Sequence, residues 1–337
     1  MFVLNFIITL ILASVGMAGN ILVLYILLQK HMLNTFNKLR AALAVFDLMV
    51  LGEIFLGQSI LSFAGQDIFG KVFCYFLNPI WNFSQTASMF MTVAIAIERL
   101  IAITYLHKYS TNRRYRATKY VMSVTITALA LNLPKFNEFR PDTSGNDKWS
   151  KNWGITTTYV TKNLGYAIYD LVVIKLIVAL MIPIALLIYS YAKILKKMRQ
   201  NRKKMEMSGN GNSHKDRKTA KEENMARLFA GVVITSLICY IPEMIVSVTI
   251  LIQRMRIDEL PKWALITMKL REFFLAINSA INIVIYSLLS KTFREECKRA
   301  FQRMIRKCKC HQKSPGDTNN QPQSADKSNE LEPQQLS

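Results

Sequence analysis

The 337-residue sequence is poor in what a soluble enzyme needs. It has four histidines, His31, His107, His214 and His311, scattered and outside every apolar run. With no zinc-type Cys/His spacing and no Gly-rich phosphate loop, neither metal-hydrolase nor nucleotide-transfer chemistry has a motif to rest on. Its five cysteines, Cys74, Cys239, Cys297, Cys308 and Cys310, do not form a disulfide framework. Acids are scarce: 22 Asp and Glu against 43 Lys and Arg, a formal net charge of +21. In a soluble chain that excess would point to nucleic acid. Here the basic residues lie between long apolar runs, the pattern of a membrane protein's cytoplasmic side, so nucleic acid is not expected as a partner.

Seven apolar runs stand out, at 2–28, 41–63, 73–104, 118–134, 166–195, 227–252 and 263–289. Most have the ~20 apolar residues that a bilayer crossing requires. The fourth is short and stops at Pro134. The first lacks the basic start and short core of a signal peptide, so it reads as a spanning helix. The fold expected is an all-α membrane protein, a seven-helix bundle over 1–290. Segments after the first, third and fifth runs are rich in Lys and Arg, whereas those after the second, fourth and sixth mix in acids. The positive-inside rule then places the N-terminus outside and the C-terminus in the cytoplasm. Met205 to Lys221 reads as a flexible cytoplasmic loop.

Beyond the seventh run, Phe293, Cys297, Phe301 and Ile305 fall on one helical face opposite a basic face. That predicts an amphipathic helix over 291–310 lying on the inner leaflet. Cys308 and Cys310 follow as candidate palmitoylation sites. The remainder, 311–337, is polar and reads as a disordered tail. No internal repeat is evident, which counts against repeat-built transporters.

Polar groups inside apolar runs mark candidate sites. Asp47 lies in the middle of the second run and Glu98-Arg99 interrupts the end of the third. The pair is either an interfacial anchor or a latch whose Arg99 changes partners when helices move. Basic clusters such as Arg113-Arg114-Tyr115-Arg116 suit anionic lipid, a partner at the cytoplasmic face, or both.

These features in order resemble the rhodopsin-like family of G-protein-coupled receptors. The resemblance is carried by Gly19-Asn20, Leu43 to Asp47, Phe69-Gly70 with Cys74, Glu98-Arg99-Leu100, Pro183 with Tyr191, Cys239-Tyr240-Ile241-Pro242, Asn282 to Tyr286, and Phe293. Asn132 to Phe139 and Ile277 to Tyr286 further resemble invertebrate FMRFamide-type neuropeptide receptors. The resemblance implies a plasma-membrane receptor, not an enzyme, with an extracellular peptide ligand, a heterotrimeric G protein and arrestin as partners. It places Ser88, Asn278, Ser279 and Asn282 around Asp47, a set of oxygen donors suited to a sodium ion; the alternative is a protonated, hydrogen-bonded Asp47. No other cofactor is implied. Trp81, Gln85, Lys175, Glu243 and Glu272 are placed in a ligand pocket, with Glu53 and Tyr169 nearby. The acids there suit a basic peptide end, unless they pair internally, Lys175 with Glu243 and Arg271 with Glu272. Glu98, Arg99, Tyr191, Glu222, Tyr240, Pro242 and Tyr286 are the implied activation switch, with Arg99 held by Glu98 and Glu222.

The sequence also departs from the family pattern. Thr125, Tyr240, Ser236 and Ile283 stand where the family has Trp, Trp, Phe and Pro, and Asp67 replaces the Trp of the first outer loop. No cysteine lies between Lys135 and Gly165, so the family's disulfide to Cys74 cannot form. The segment before the first span is almost absent. These departures favour, as an alternative, an orphan or constitutively active receptor. A channel or transporter is a weaker reading, because the polar groups converge on Asp47 and Arg99 rather than line one path.

Overall fold

The computed structural model describes residues 2–63, 65–104, 115–142, 154–159, 163–207, scattered positions between 231 and 248, 262–289 and 291–311. The first span is α1 (Phe2–Leu27), uncharged throughout. Its outward side chains Ile11, Val15 and Ile21 are more than half exposed, the reverse of a soluble helix and the arrangement a lipid-facing surface requires. A 3-10 turn, Lys30–Met32, leads to α2 (Thr35–Phe63). Asn34 caps α2 by accepting the Asn37 N–H through its side-chain oxygen at 2.9 Å.

Gly65 adopts φ +79°, a left-handed conformation that glycine reaches without penalty, and turns the chain from α2 into α3 (Gly65–Val72). A π-helical turn, Phe73–Leu77, joins α3 to α4 (Asn78–Thr104), so the third span runs as one long helical stretch. The fourth is α5 (Arg116–Asn132), followed by a 3-10 turn, Leu133–Asn137, that contains Pro134. In the fifth, α6 (Leu164–Ile168) is capped by Asn163, whose side chain accepts from the Gly165 and Tyr166 amides. A π-helical segment, Tyr169–Met181, then gives way to α7 (Ile182–Met207) next to Pro183, which has no N–H to offer the ladder. α7 outruns the apolar segment and takes in Met205 to Met207, which the sequence assigned to a loop. The described positions 238–242 of the sixth span are helical. The seventh is α8 (Lys262–Leu289).

α4 is the centre of the bundle, packed on α2, α5 and α7, while α1 packs on α2 and α8. Among the described residues, three stretches are by themselves long and apolar enough to cross a membrane: Ile7–Leu27, Asp67–Ala102 and Leu164–Lys197. α2 carries Lys38, Arg40, Asp47 and Glu53. An unexpected element is a short antiparallel hairpin between the fourth and fifth spans. In it β1 (Phe139–Pro141) pairs with β2 (Ile155–Thr157), Arg140 facing Thr156.

The chain divides into two units, 1–294 and 295–337. α9 (Lys291–His311) begins in the first. Its first turn belongs to the bundle because Phe293 is buried against the Tyr286 ring and Arg294 donates to the Leu288 carbonyl at 2.6 Å. The division therefore falls four residues later than the 290/291 boundary read from sequence. In the second unit Phe301 and Ile305 are exposed and Ala300 is buried. Burial pushes the Cys297 thiol up from its ordinary value, which makes it a poorer nucleophile. Cys308 and Cys310 lie within α9, and their side chains fall outside the described residues.

Candidate functional site

Asp47 is fully buried near the middle of α2. Ser88 of α4 donates to its Oδ1 at 2.7 Å and Asn282 of α8 donates to its Oδ2 at 2.7 Å. Ser279, also buried, contributes a further hydrogen bond. Three helices thus meet on one carboxylate. The Asn278 oxygen accepts from Ser236 of the sixth span at 3.2 Å. Serine at that position replaces a ring with a polar tie to α8. Behind Ser279, Asn20 of α1 donates to the Ser279 carbonyl at 2.9 Å, and its own buried Oδ1 has no partner among the described residues. A carboxylate, two hydroxyls and side-chain amide oxygens are hard donors of the kind that suit a small cation.

Two turns along α2, Glu53 makes a second contact with α4. Its Oε1 accepts from Ser84 at 3.0 Å, and its Oε2 is buried with no partner among the described residues. Trp81 is wedged between two apolar groups, one around Leu51 and Ala276 and the other around Met89, Tyr240 and Leu275. Gln85 Nε2 is buried without a partner among the described residues. Glu272 is half-buried and accepts from Gln58 at 3.2 Å. These residues lie in the half of the bundle toward the hairpin. Glu243 lies outside the described residues.

Lys175 belongs to another cluster. It sits 3.8 Å from Asp170 Oδ2. Asp170 Oδ1 accepts from the buried Lys135 at 2.5 Å, and Lys135 also donates to Glu138 at 2.6 Å. Glu138 accepts from Tyr166 at 2.9 Å and from Asn78 at 3.2 Å. Thr158 joins the hairpin to this turn through the Asn137 carbonyl at 2.6 Å. One buried network therefore fastens α4, the turn after α5, the hairpin and the fifth span. Cys74 is buried nearby in sequence as a free thiol. Sequence reasoning did not assemble this network. The Lys-x-x-Glu spacing of Lys135 and Glu138 was its only local signal, since Asp170 lies 35 residues away in sequence.

At the other end of α4, about 30 Å from Asn78 at 1.5 Å per residue, Glu98 is buried and lies 3.7 Å from Arg116 of α5. The Arg99 guanidinium stacks on the Phe36 ring at 3.1 Å from its centroid. The Arg40 guanidinium faces another residue of the implied switch, 3.6 Å from the centroid of Tyr286. Tyr191 packs against the core formed by α2, α4, α5 and α7. Tyr240 and Pro242 are buried in the sixth span. Glu222 lies outside the described residues. Sequence reasoning found Glu98 and Arg99 but gave no role to Arg40 or Phe36.

The family model described as 7 transmembrane receptor (rhodopsin family) matches residues 19–286. Somatostatin receptor type 2 of Mus musculus is 25% identical over 304 residues, covering 88% of this chain and 75% of its own length. Relaxin receptor 1 of Rattus norvegicus is 24% identical over 303 residues, 85% of this chain and 36% of the relative. The RYamide receptor of Drosophila melanogaster is 27% identical over 241 residues, 67% of this chain and 48% of the relative.

Proposed function

The chain belongs to the rhodopsin family of seven-transmembrane receptors, multi-pass proteins of the plasma membrane that signal to G proteins, and within that family we propose a receptor for a neuropeptide with a basic end. The N-terminus is placed outside and the Arg99 end of α4 in the cytoplasm by the distribution of Lys and Arg between the spans. The supporting observation for the ligand is Glu272, half-buried on α8 and hydrogen-bonded to Gln58, in the half of the bundle that orientation turns outward. Trp81, Gln85 and Glu53 lie toward the same half. The RYamide receptor, whose name specifies a peptide, is among the relatives. FMRFamide-like peptides, with arginine before an amidated phenylalanine, match that chemistry. Lys175 is drawn to Asp170 rather than offered as a ligand contact.

The Asp47 site fits a sodium ion. Asp47 with the Ser88 and Ser279 hydroxyls would hold it, and Asn282 would supply its amide oxygen once the side chain turned from donor to acceptor. The cation would neutralise a carboxylate that is otherwise held by neutral donors. Coupling to the G protein, and arrestin binding, are assigned to the Arg99 end, whose Lys and Arg clusters also suit anionic lipid. α9 is placed on the inner leaflet with Phe301 and Ile305 in the lipid, and Cys308 and Cys310 are its acylation sites.

The test is nucleotide exchange by a G protein in membranes bearing this chain, challenged with a library of amidated peptides. A basic amidated peptide should stimulate exchange, and Glu272→Gln should weaken it by about 1.5–3 kcal/mol, the size of a charge-assisted hydrogen bond. No response to any peptide, with high exchange in its absence, would favour a constitutively active receptor instead. Sodium should raise thermal stability in a manner that Asp47→Asn abolishes. A wild-type protein indifferent to sodium would mean that Asp47 is protonated.

A further inference from the structure

Phe36 and Arg40 are one turn apart at the start of α2, on the same helix face. Arg40 is only 5% exposed, yet no carboxylate pairs with it among the described residues, and its Nε and one terminal nitrogen have no acceptor. Its neighbours are rings, and one of them, Tyr286, also shares a side-chain hydrogen bond with it. The guanidinium lies 3.6 Å from the Tyr286 centroid and 5.3 Å from the Phe36 centroid. The second face of this arrangement is Arg99, whose guanidinium lies 3.1 Å from the same Phe36 centroid. Tyr286, in turn, meets Phe293 edge-on at 6.0 Å. Two arginines and three rings thus connect α4, α2, α8 and the first turn of α9.

We propose that Arg40 is a positioning residue that pins Tyr286 of the seventh span in the state described, so that the span cannot shift at its cytoplasmic end until this cation–ring contact breaks. The inference rests on the receptor reading for its consequence but not for its geometry. A guanidinium in a dry site gains from an aromatic face because the ring's quadrupole replaces part of the lost hydration. That contact is available only while Tyr286 stays beneath it. Displacing the tyrosine leaves a buried charge with only the more distant Phe36 ring beside it, which is the more costly state. In this chain Ile283 occupies the place of the family's proline in α8, so the helix has no proline kink of its own there. A side chain from α2 therefore does the holding.

The experiment compares wild type, Arg40→Met, Arg40→Lys, Tyr286→Leu and the double variant Arg40→Met/Tyr286→Leu, each as the full chain purified in detergent. The first readout is hydrogen exchange of the amides from Asn282 to Leu289. Arg40→Met should speed it about fivefold, the scale of one such contact, with Arg40→Lys in between. In the Tyr286→Leu background Arg40→Met should add nothing. The second readout is ligand-free nucleotide exchange on an added G protein, which should rise by a similar factor. Faster hydrogen exchange with no nucleotide exchange from any variant would keep the pin and remove the receptor assignment of this end. Unchanged hydrogen exchange in Arg40→Met, or equal effects of that change with and without Tyr286, would overturn the pin. If Arg40→Met fails to fold, Arg40→Lys compared with and without Tyr286→Leu carries the test, and the same two readouts decide.

Discussion

Gly16 lies where α1 crosses α8. A Cβ there would stand 2.8 Å from the Ala280 Cβ and 3.3 Å from its backbone, which cannot swing aside. Gly16→Val should therefore cost about 1–3 kcal/mol through overpacking, read as a lower thermal midpoint in detergent. Gly52, with nothing within 4 Å of such a Cβ, is the control that should tolerate alanine. Contacts of this kind depend on which helices meet, so the sequence carried no sign of Gly16. Asp47 was different. A carboxylate inside an apolar run is legible without a structure, and resemblance then supplied Ser88, Ser279 and Asn282, which the structure brings to it. Asn278 shows where that reasoning stops: its oxygen is engaged by Ser236, a residue whose partner depends on how the sixth span lies against α8.

The spans themselves were legible as elements because burial in lipid leaves a hydropathy signal that a few charges do not erase. The hairpin was not, since three residues per strand give too short a pattern to separate from loop. Nor was the network that holds it. Lys135, Glu138 and Asp170 fasten the loop by charge and hydrogen bonds, in a chain with no cysteine between Lys135 and Gly165 to do so by a disulfide. Lys135→Met should strand two buried carboxylates and destabilise the protein by about 3–5 kcal/mol, the cost of breaking a buried ion pair from one side. Adding Glu138→Gln and Asp170→Asn to that variant should recover much of the loss. Thermal unfolding of the set checks both steps. If Lys135→Met alone unfolds like wild type, the network does not hold the loop. The same reasoning predicts that dithiothreitol leaves the midpoint of the native chain unchanged, because Cys74 has no bond to lose.

For the whole molecule, the question is how the two ends of α4 are joined. Asp47 ties α2, α4 and α8 at the middle, and Glu98 with Arg116 ties α4 to α5 at the Arg99 end. The sequence reading gave Glu98 to Arg99. The structure shows in addition that Arg116 lies 3.7 Å from Glu98, and that Arg99 rests on Phe36. That geometry sharpens the expectation for signalling. Arg116 is partly exposed, so its pair with Glu98 is worth about 1 kcal/mol at most, enough to move a two-state equilibrium about fivefold. Glu98→Ala should raise ligand-free nucleotide exchange by that factor, and Glu222→Ala should do so if the sixth span supplies a second acid. Arg116→Ala discriminates between two arrangements. If Glu98 restrains the bundle through α5, Arg116→Ala should match Glu98→Ala, and the double variant should go no further. If Glu98 acts on Arg99 alone, Arg116→Ala should leave basal exchange at the wild-type level. Arg99→Ala should abolish exchange in either case while peptide binding at the hairpin end persists. A chain lacking Arg99 that still drives exchange normally would remove the latch altogether, because no other residue described at that end joins the third span to the second through an aromatic face.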